Sequence, residues 1–319
     1  MWRSDRAFVG PIRATLADID ALNRVFSDAF TERYRRDGLS GVRVPYLNPA
    51  VWQFAIADAA EGAMIWRDGT GDLVAFNIVH RSGSEGWMGP LAVRIDRQGR
   101  GHGRQIVEAG VAWLAAAGVR TIGLETMPRT IDNVGFYSRL GFVPNHLTVT
   151  LQRERPRADG ASGRLSQLQP VPRQQAVEAC QALTARVAAE IDFSREVELT
   201  VEQQLGDVSL VHDARRALRS FALWHTAPLA QGRSRDEVRL LKLVAVDTDA
   251  ALAAVRATEA AAASMSMSRV SVRCQTRHAA VYAALIADGF RVQWTDLRMT
   301  LAGKEEAKPD GVLFSNWEI

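Results

Sequence analysis

The segment Leu91-Ala92-Val93-Arg94-Ile95-Asp96-Arg97-Gln98-Gly99-Arg100-Gly101-His102-Gly103-Arg104 gathers the residues most able to do chemistry. Its three alternating glycines let the backbone approach a ligand without Cβ interference. Arg97, Arg100 and Arg104 add full positive charges. The segment joins an apolar run that reads as a strand to a stretch with Ile106, Gly110, Val111 and Leu114 at helical spacing. A helix starting here presents free N–H groups and the positive end of its dipole. Such a turn suits a pyrophosphate. The spacing Gly99-x-Gly101-x-Gly103 is not the dinucleotide fingerprint Gly-x-Gly-x-x-Gly, and the lysine of a Walker loop is missing. Glycine spacing alone equally allows a flexible turn with solvated arginines.

Composition narrows the chemistry. Of 39 Lys+Arg only Lys242, Lys304 and Lys308 are lysines, which excludes a Walker loop, a kinase core or a Schiff-base site from the first 241 residues. The only cysteines are Cys180 and Cys274, too few for a Cys-rich zinc site or a disulfide framework. The six histidines are scattered, and no metal is expected. A net charge of +3 fits an anionic cofactor, nucleic acid or an arginine-favouring genome. The basic residues show no aromatic interleaving and no nucleic-acid module, so no nucleic-acid partner is expected. No apolar run reaches the ~20 residues of a membrane helix, and Met1 to Arg6 lacks a secretory leader's apolar stretch. A cytoplasmic protein without membrane attachment is expected.

A chain of 319 residues suggests two domains. In the first half, strands are expected at Phe8–Arg13, Ala63–Trp66, Leu73–His80, Trp87–Ile95, Val119–Thr126 and Leu147–Leu151. Helices are expected from Thr15 to Phe30, Gly101 to Ala117 and Ile131 to Leu140, with short helices and loop over 31–60. Arg153 to Arg164, rich in Gly, Pro and charge, reads as a linker. A helical region at 172–204 follows, then strands near 208–212, 219–226 and 238–246. A helix at Ala250–Ser264, a strand at Val270–Gln275, a helix at His278–Asp288 and a strand at Phe290–Leu301 complete the order. Arg139-Leu140-Gly141-Phe142 … Thr150-Leu151 parallels Ala287-Asp288-Gly289-Phe290 … Thr300-Leu301, at matching points of the element order. A diverged tandem duplication is inferred. The expected domains are 1–152, a linker at 153–164, 165–303, and a tail at 304–319 whose apolar end docks on the protein.

Gln98-x-x-Gly101-x-Gly103 resembles the acetyl-CoA pyrophosphate signature of the GNAT superfamily of N-acetyltransferases. Phe136-Tyr137-Ser138-Arg139-Leu140-Gly141-Phe142 resembles its second signature. The resemblance rests on residues 85–152, extends over 8–84 and reaches 165–303 through element order. It implies an α/β (α+β) fold: two GNAT-like domains, each a mixed, mostly antiparallel sheet flanked by helices, the second a degenerate copy. It further implies that the backbone of Leu91, Ala92 and Val93 pairs with the pantetheine arm. Gln98 and the N–H groups of Gly99, Arg100, Gly101, His102, Gly103 and Arg104 would hold the pyrophosphate. Tyr137 would protonate the departing CoA thiolate. A tyrosine of pKa about 10 can deliver a proton to a thiolate of pKa about 8–9 over a short hydrogen bond.

The chain departs from the family pattern at points. Where the family often has Asn seven residues before the tyrosine, Thr130 stands, and Asn133 lies four before it; both are candidate cofactor contacts. The strand position that often carries a basic carboxylate falls in Trp87-Met88-Gly89-Pro90, without one. Glu125, Glu85 and His80 are the alternatives, Glu125 first among them, and a water relay would make a base unnecessary, so the base stays open. Trp87 is the expected pocket aromatic, ahead of Trp52, Trp66 and Phe76. In the second half the junction Val244-Ala245-Val246-Asp247-Thr248-Asp249 has no glycine and two aspartates, and Leu285 stands where Tyr137 stands in the first. The expected reaction is acetyl transfer from acetyl-CoA to a small-molecule amine by a monomer or homodimer. A peptide or protein N-acetyltransferase and a non-catalytic acyl-CoA-binding regulator are the alternatives.

Overall fold

The computed structural model describes residues 7–160 and 163–317. The first half runs β1 (Val9–Arg13), α1 (Ile19–Arg36), α2 (Pro49–Ala59), β2 (Ala63–Arg67), β3 (Leu73–Ser82), β4 (Glu85–Val93), α3 (His102–Ala116), β5 (Thr121–Thr126), α4 (Ile131–Arg139) and β6 (Phe142–Glu154). The second runs β7 (Gly163–Arg164), α5 (Pro170–Val187), α6 (Ser194–Glu202), β8 (Gly206–His212), β9 (Leu218–His225), β10 (Glu237–Ala245), α7 (Thr248–Ser264), β11 (Arg269–Gln275), α8 (Ala279–Ala287), β12 (Arg291–Leu301) and β13 (Val312–Ser315).

Local chemistry sets the helix ends. Thr15 and Asp18 form a capping box before α1, the Thr15 N–H donating to Asp18 Oδ2 at 2.8 Å. The helix continues to Arg36, beyond the expected end at Phe30. Glu32 pairs there with Arg35 and Arg36 at 2.8 Å each, and Arg33 with Asp37 at 2.6 Å. Asn48 caps α2 by accepting from Ala50 N at 3.0 Å, and Pro49 opens that helix.

Among the described residues the strands form one mixed sheet in the order β1-β2-β3-β4-β5-β12-β6-β11-β10-β9-β8-β7, with β13 on β10. Side chains alternate across it. Ala63, Ile65, Phe76 and Ile78 face α1 and α2, whereas Met64, Trp66 and Val79 pack with α3 and Tyr137 of α4. In the second half Phe221 and Leu223 face α5 and α6, and Ala222 and Trp224 face α7 and α8.

The halves exchange their last long strands. β6 pairs antiparallel with β11 from Arg269↔Glu154 to Gln275↔Thr148, and β12 pairs antiparallel with β5 from Leu297↔Thr126 to Thr300↔Gly123. The two exchanged strands also pair with each other. Chain order therefore differs from spatial order at this seam. The stretch expected as a linker contributes Arg153 and Glu154 to β6 and Gly163 and Arg164 to β7; Ala161 and Ser162 lie outside the described residues.

Candidate active site

The site starts at a fork. Parallel pairing between β4 and β5 runs from Glu85↔Thr121 to Met88↔Leu124 and then stops. Beyond it, β4 keeps pairing with β3, Asn77↔Leu91 to Ala75↔Val93, while β5 pairs with β12. Each strand thus turns one unladdered edge into the fork. The register shift between Asn77 and Val79 falls opposite Gly89-Pro90, where β4 swings away. A cavity of about 610 Å³ occupies the opening, lined on these edges by Gly89 to Val93 and by Glu125, Thr126 and Met127.

Of the site residues expected from sequence, Trp87, Leu91, Ala92, Val93, Gln98, Glu125, Asn133 and Tyr137 all line this cavity. Gln98 is anchored, its Nε2 donating to Val93 O at 2.9 Å. Gly99 to Arg104 follow directly at the surface. Gly99 and Gly101 hold φ of 75° and 84°, a backbone region that side chains other than glycine's rarely adopt. Gly101 is the N-cap of α3 and supplies no side-chain cap, so the first N–H groups of the helix face outward unpaired by any side chain. Arg100 forms no ion pair among the described residues, and Arg104 pairs only with Glu108, at 3.2 Å on the exposed face. Arg97 is corrected: it is buried and its guanidinium is engaged by Asp68 at 3.4 Å and Asp96 at 3.3 Å, so its charge serves the protein rather than the turn.

Tyr137 is buried on α4, its ring against Phe136 and Phe142 at 5.2 and 6.2 Å. Burial pushes its hydroxyl well above the ordinary tyrosine range, so the group is neutral and able to donate. Asn133 lies one turn earlier on the same helix. Thr130 does not join them: it is fully buried, absent from the lining, and its hydroxyl donates to Asp37 Oδ2 at 2.8 Å. Glu125 reaches the cavity as an ion-pair hub. It accepts from Arg273, from Arg298 at 2.9 Å and from Thr148 at 2.5 Å. Burial pushes its carboxyl up, but the two guanidiniums outweigh that and hold it below the ordinary range. A carboxylate so engaged is a weak proton acceptor. Glu85 is turned away, accepting from Trp87 Nε1 at 3.1 Å and from Ser315. Trp52, Trp66 and Phe76 are core residues outside the lining, leaving Trp87 as the pocket aromatic among the four.

Sequence reasoning missed half of the wall. α1 contributes Phe26, Phe30 and Tyr34, and the second half contributes Arg273, Trp294, Asp296 and Trp317. Trp294 and Asp296 arrive only because β12 is exchanged. The signal that could have found them is the parallel between the endings of the two halves, which marks β6 and β12 as equivalent strands.

The second half repeats the fork with a different content. β10 and β11 pair in parallel from Glu237↔Arg269 to Leu240↔Val272 and then separate. β9 holds one edge of β10 and β6 one edge of β11. The tail strand β13 therefore lies inside this fork, antiparallel to β10 from Lys242↔Ser315 to Ala245↔Val312. Asn316 bridges its two sides, donating to Leu241 O at 3.1 Å and Arg273 O at 3.0 Å. Trp317 then enters the first half's cavity, against His80 and Trp87. At the start of α7, Asp247 accepts from Ala250 N at 2.8 Å and pairs with Arg219 at 2.5 Å. The helix end that would meet a phosphate is capped by the protein's own carboxylate. Leu285 is buried in the core.

Residues 21–142 match the family model described as the acetyltransferase (GNAT) family. The first half therefore carries a GNAT acetyltransferase domain. Solved structures extend the likeness to both halves. A GCN5-related N-acetyltransferase from Sphaerobacter thermophilus is 13% identical with a TM-score of 0.59, covering 96% of this chain and 98% of that one. A tandem GNAT protein from the clavulanic acid biosynthesis pathway is 13% identical with a TM-score of 0.58, covering 92% and 97%. Saccharomyces cerevisiae N-myristoyltransferase, solved with bound myristoyl-CoA, is 12% identical with a TM-score of 0.62, covering 97% and 85%. No curated protein matches the chain. Among the described residues no helix is long and apolar enough to cross a membrane, and no group of His, Cys, Asp and Glu could hold a metal ion.

Proposed function

We propose that the protein transfers the acetyl group of acetyl-CoA to the amine of a small molecule, using the first half alone for the cofactor. The observation that carries this reading is the fork of β4 and β5, with an uncapped helix start at one end and the buried Tyr137 hydroxyl within the same cavity. Extended backbone at Leu91 to Val93 offers N–H and C=O groups to the amide-bearing pantetheine arm. The N–H groups of Gly99 to Arg104 and the charge of Arg100 suit the pyrophosphate, and the positive φ of Gly99 and Gly101 shapes that turn. Asn133 fits a polar contact along the arm. The amine attacks the thioester carbonyl, the C–S bond breaks, and Tyr137 gives its proton to the sulfur.

The second half is read as a degenerate copy that shapes the acceptor side. Its fork holds β13 and its helix start holds Asp247. An acceptor wall carrying the buried aromatics Trp87 and Trp317 is read as suiting a compact amine rather than a long peptide. Cytoplasmic location, and action as a monomer or homodimer without nucleic-acid or membrane partners, are part of the same proposal. Calorimetric titration with acetyl-CoA tests it. One site per chain is expected, together with thiol release in an amine panel. Two sites would overturn the degenerate copy, and no binding would overturn the acetyltransferase reading. Binding with no turnover would favour the regulatory alternative.

A further inference from the structure

We propose that His80 is the general base of this reaction and that Asp58 is its positioning residue; the inference rests on the acyl-transfer reading above. His80 on β3 lies directly across from Trp87 on β4, so both side chains leave the same face of the sheet, and both line the cavity. Trp87 stands in the strand segment that has no carboxylate of its own. The neighbouring strand thus brings a titratable group to the place where one is missing.

The imidazole is held as a base requires. Its Nδ1 is 2.5 Å from Oδ2 of Asp58 on α2, and both side chains are buried. A carboxylate only accepts, so Nδ1 carries the hydrogen and Nε2 carries the lone pair. Nε2 is buried and has no hydrogen-bond partner among the described residues. A buried acceptor without a donor is costly, and an incoming amine N–H supplies one. The ring stacks on Trp317 at a centroid distance of 5.6 Å, which fixes its plane.

The carboxylates of the lining lack this freedom. Glu125 is engaged by two arginines. Asp296 pairs with Arg273 at 3.1 Å and accepts from Trp294 Nε1 at 3.1 Å. Glu32 is held by Arg35 and Arg36, which push its carboxyl down to about 2. Nε2 of His80 therefore accepts the amine proton as the nitrogen lone pair forms the C–N bond to the thioester carbonyl. The tetrahedral intermediate then collapses, the C–S bond breaks and Tyr137 protonates the sulfur. Passage of the proton from the imidazolium to the tyrosinate through water restores both groups.

The charged groups on the elements packed against His80 are Asp58 on α2, Arg195 and Glu196 on α6, Glu85 on β4 and Lys242 on β10. Arg195 Nε lies 4.0 Å from Asp58 Oδ1, and Lys242 Nζ lies 3.6 Å from Glu196 Oε1. They stay in place in His80→Gln, so a lost acid limb in that variant reports the imidazole.

The test combines acetyl-CoA binding, thiol release with the amine panel across pH, and long-range ¹H–¹⁵N NMR of the histidines. Expected for His80→Gln are a Kd for acetyl-CoA within about twofold of wild type and a kcat lower by about 10²–10⁴, with the acid limb of kcat gone. The NMR spectrum of wild type is expected to place the His80 hydrogen on Nδ1. Asp58→Asn, which keeps shape and volume, is expected to lower kcat at constant acetyl-CoA Kd, and serves where His80→Gln does not fold. A His80→Gln enzyme with kcat within threefold and its acid limb intact overturns the base alone, as does a hydrogen found on Nε2. Wild type that binds acetyl-CoA yet acetylates no amine overturns the acyl-transfer reading, and the base falls with it.

Discussion

Tyr137→Phe separates chemistry from structure, because the hydroxyl has one role and the ring another. The ring packs against Phe136 and Phe142, and those contacts survive the substitution. The hydroxyl donates no hydrogen bond to another described residue, so its removal strands no buried partner. Stability should change by no more than about 1 kcal/mol. The proton for the leaving sulfur, in contrast, is lost outright. General acid catalysis is worth about 10²–10⁴ in rate, or about 2.7–5.5 kcal/mol of barrier. The loss should fall on kcat, with the Kd for acetyl-CoA unchanged. Burial raises the folded hydroxyl above its ordinary value of about 10, so wild-type kcat should show no alkaline limb from this group between about pH 7 and 9. The assay is thiol release across that range beside calorimetry and thermal melting. A Tyr137→Phe enzyme with kcat within twofold of wild type, its fold intact, would refute the assignment of the proton donor.

Other expectations follow from the turn, the tail and the buried histidines. A Cβ at Gly103 would meet the Phe136 ring at 3.4 Å, an ordinary contact, so Gly103→Asp should fold; its carboxylate at the start of α3 should repel a pyrophosphate and weaken acetyl-CoA binding at least tenfold by calorimetry. Asn316→Ala removes the side-chain bridge between β10 and β11 and leaves Arg273 O and the buried Gln275 Nε2 each one partner short, while Leu241 O keeps the backbone N–H of residue 316; a loss of about 2–4 kcal/mol is expected in denaturant unfolding. Burial pushes His146 and His278 down to about 4, below the unfolded value of about 6.5. Their contribution is present above pH 6.5 and is lost as pH falls through about 4. Melting temperature should therefore drop between those limits, and less steeply when both are replaced by Gln.

The sequence made the first fork's contents legible because they depend on local chemistry. Alternating glycines need positive φ, and a helix start without a capping side chain is visible as Gly101-His102-Gly103. The lining positions of Leu91 to Val93 and of Tyr137 rest instead on the likeness of two motifs to the GNAT signatures. What escaped depends on distant pairing. Nothing near Trp294 or Asp296 says that β12 lies beside β5, because the hydrophobic alternation of β12 suits either neighbour equally well. Arg97 escaped for another reason: its partner Asp68 lies in the distant turn between β2 and β3, and a charge beside a phosphate-like turn looks the same whether it faces solvent or an aspartate.

If the second half is a degenerate copy, as proposed, the strand exchange bears on how it could lack a cofactor site and still be kept. Separate halves could drift apart in sequence and then in space. Among the described residues β12 is the one strand besides β4 that pairs with β5, and β6 supplies the outer edge of β11. Removing the second half would expose β5 as a bare edge and strip Arg298 from Glu125. The plugged fork adds a second tie. Filling it with β13 satisfies the backbone groups that a pantetheine arm would otherwise meet, and it also aims Trp317 at His80 and Trp87. On the proposed reading, selection on the acceptor cavity would preserve the second fold without preserving a phosphate turn, in keeping with Asp247 capping the start of α7.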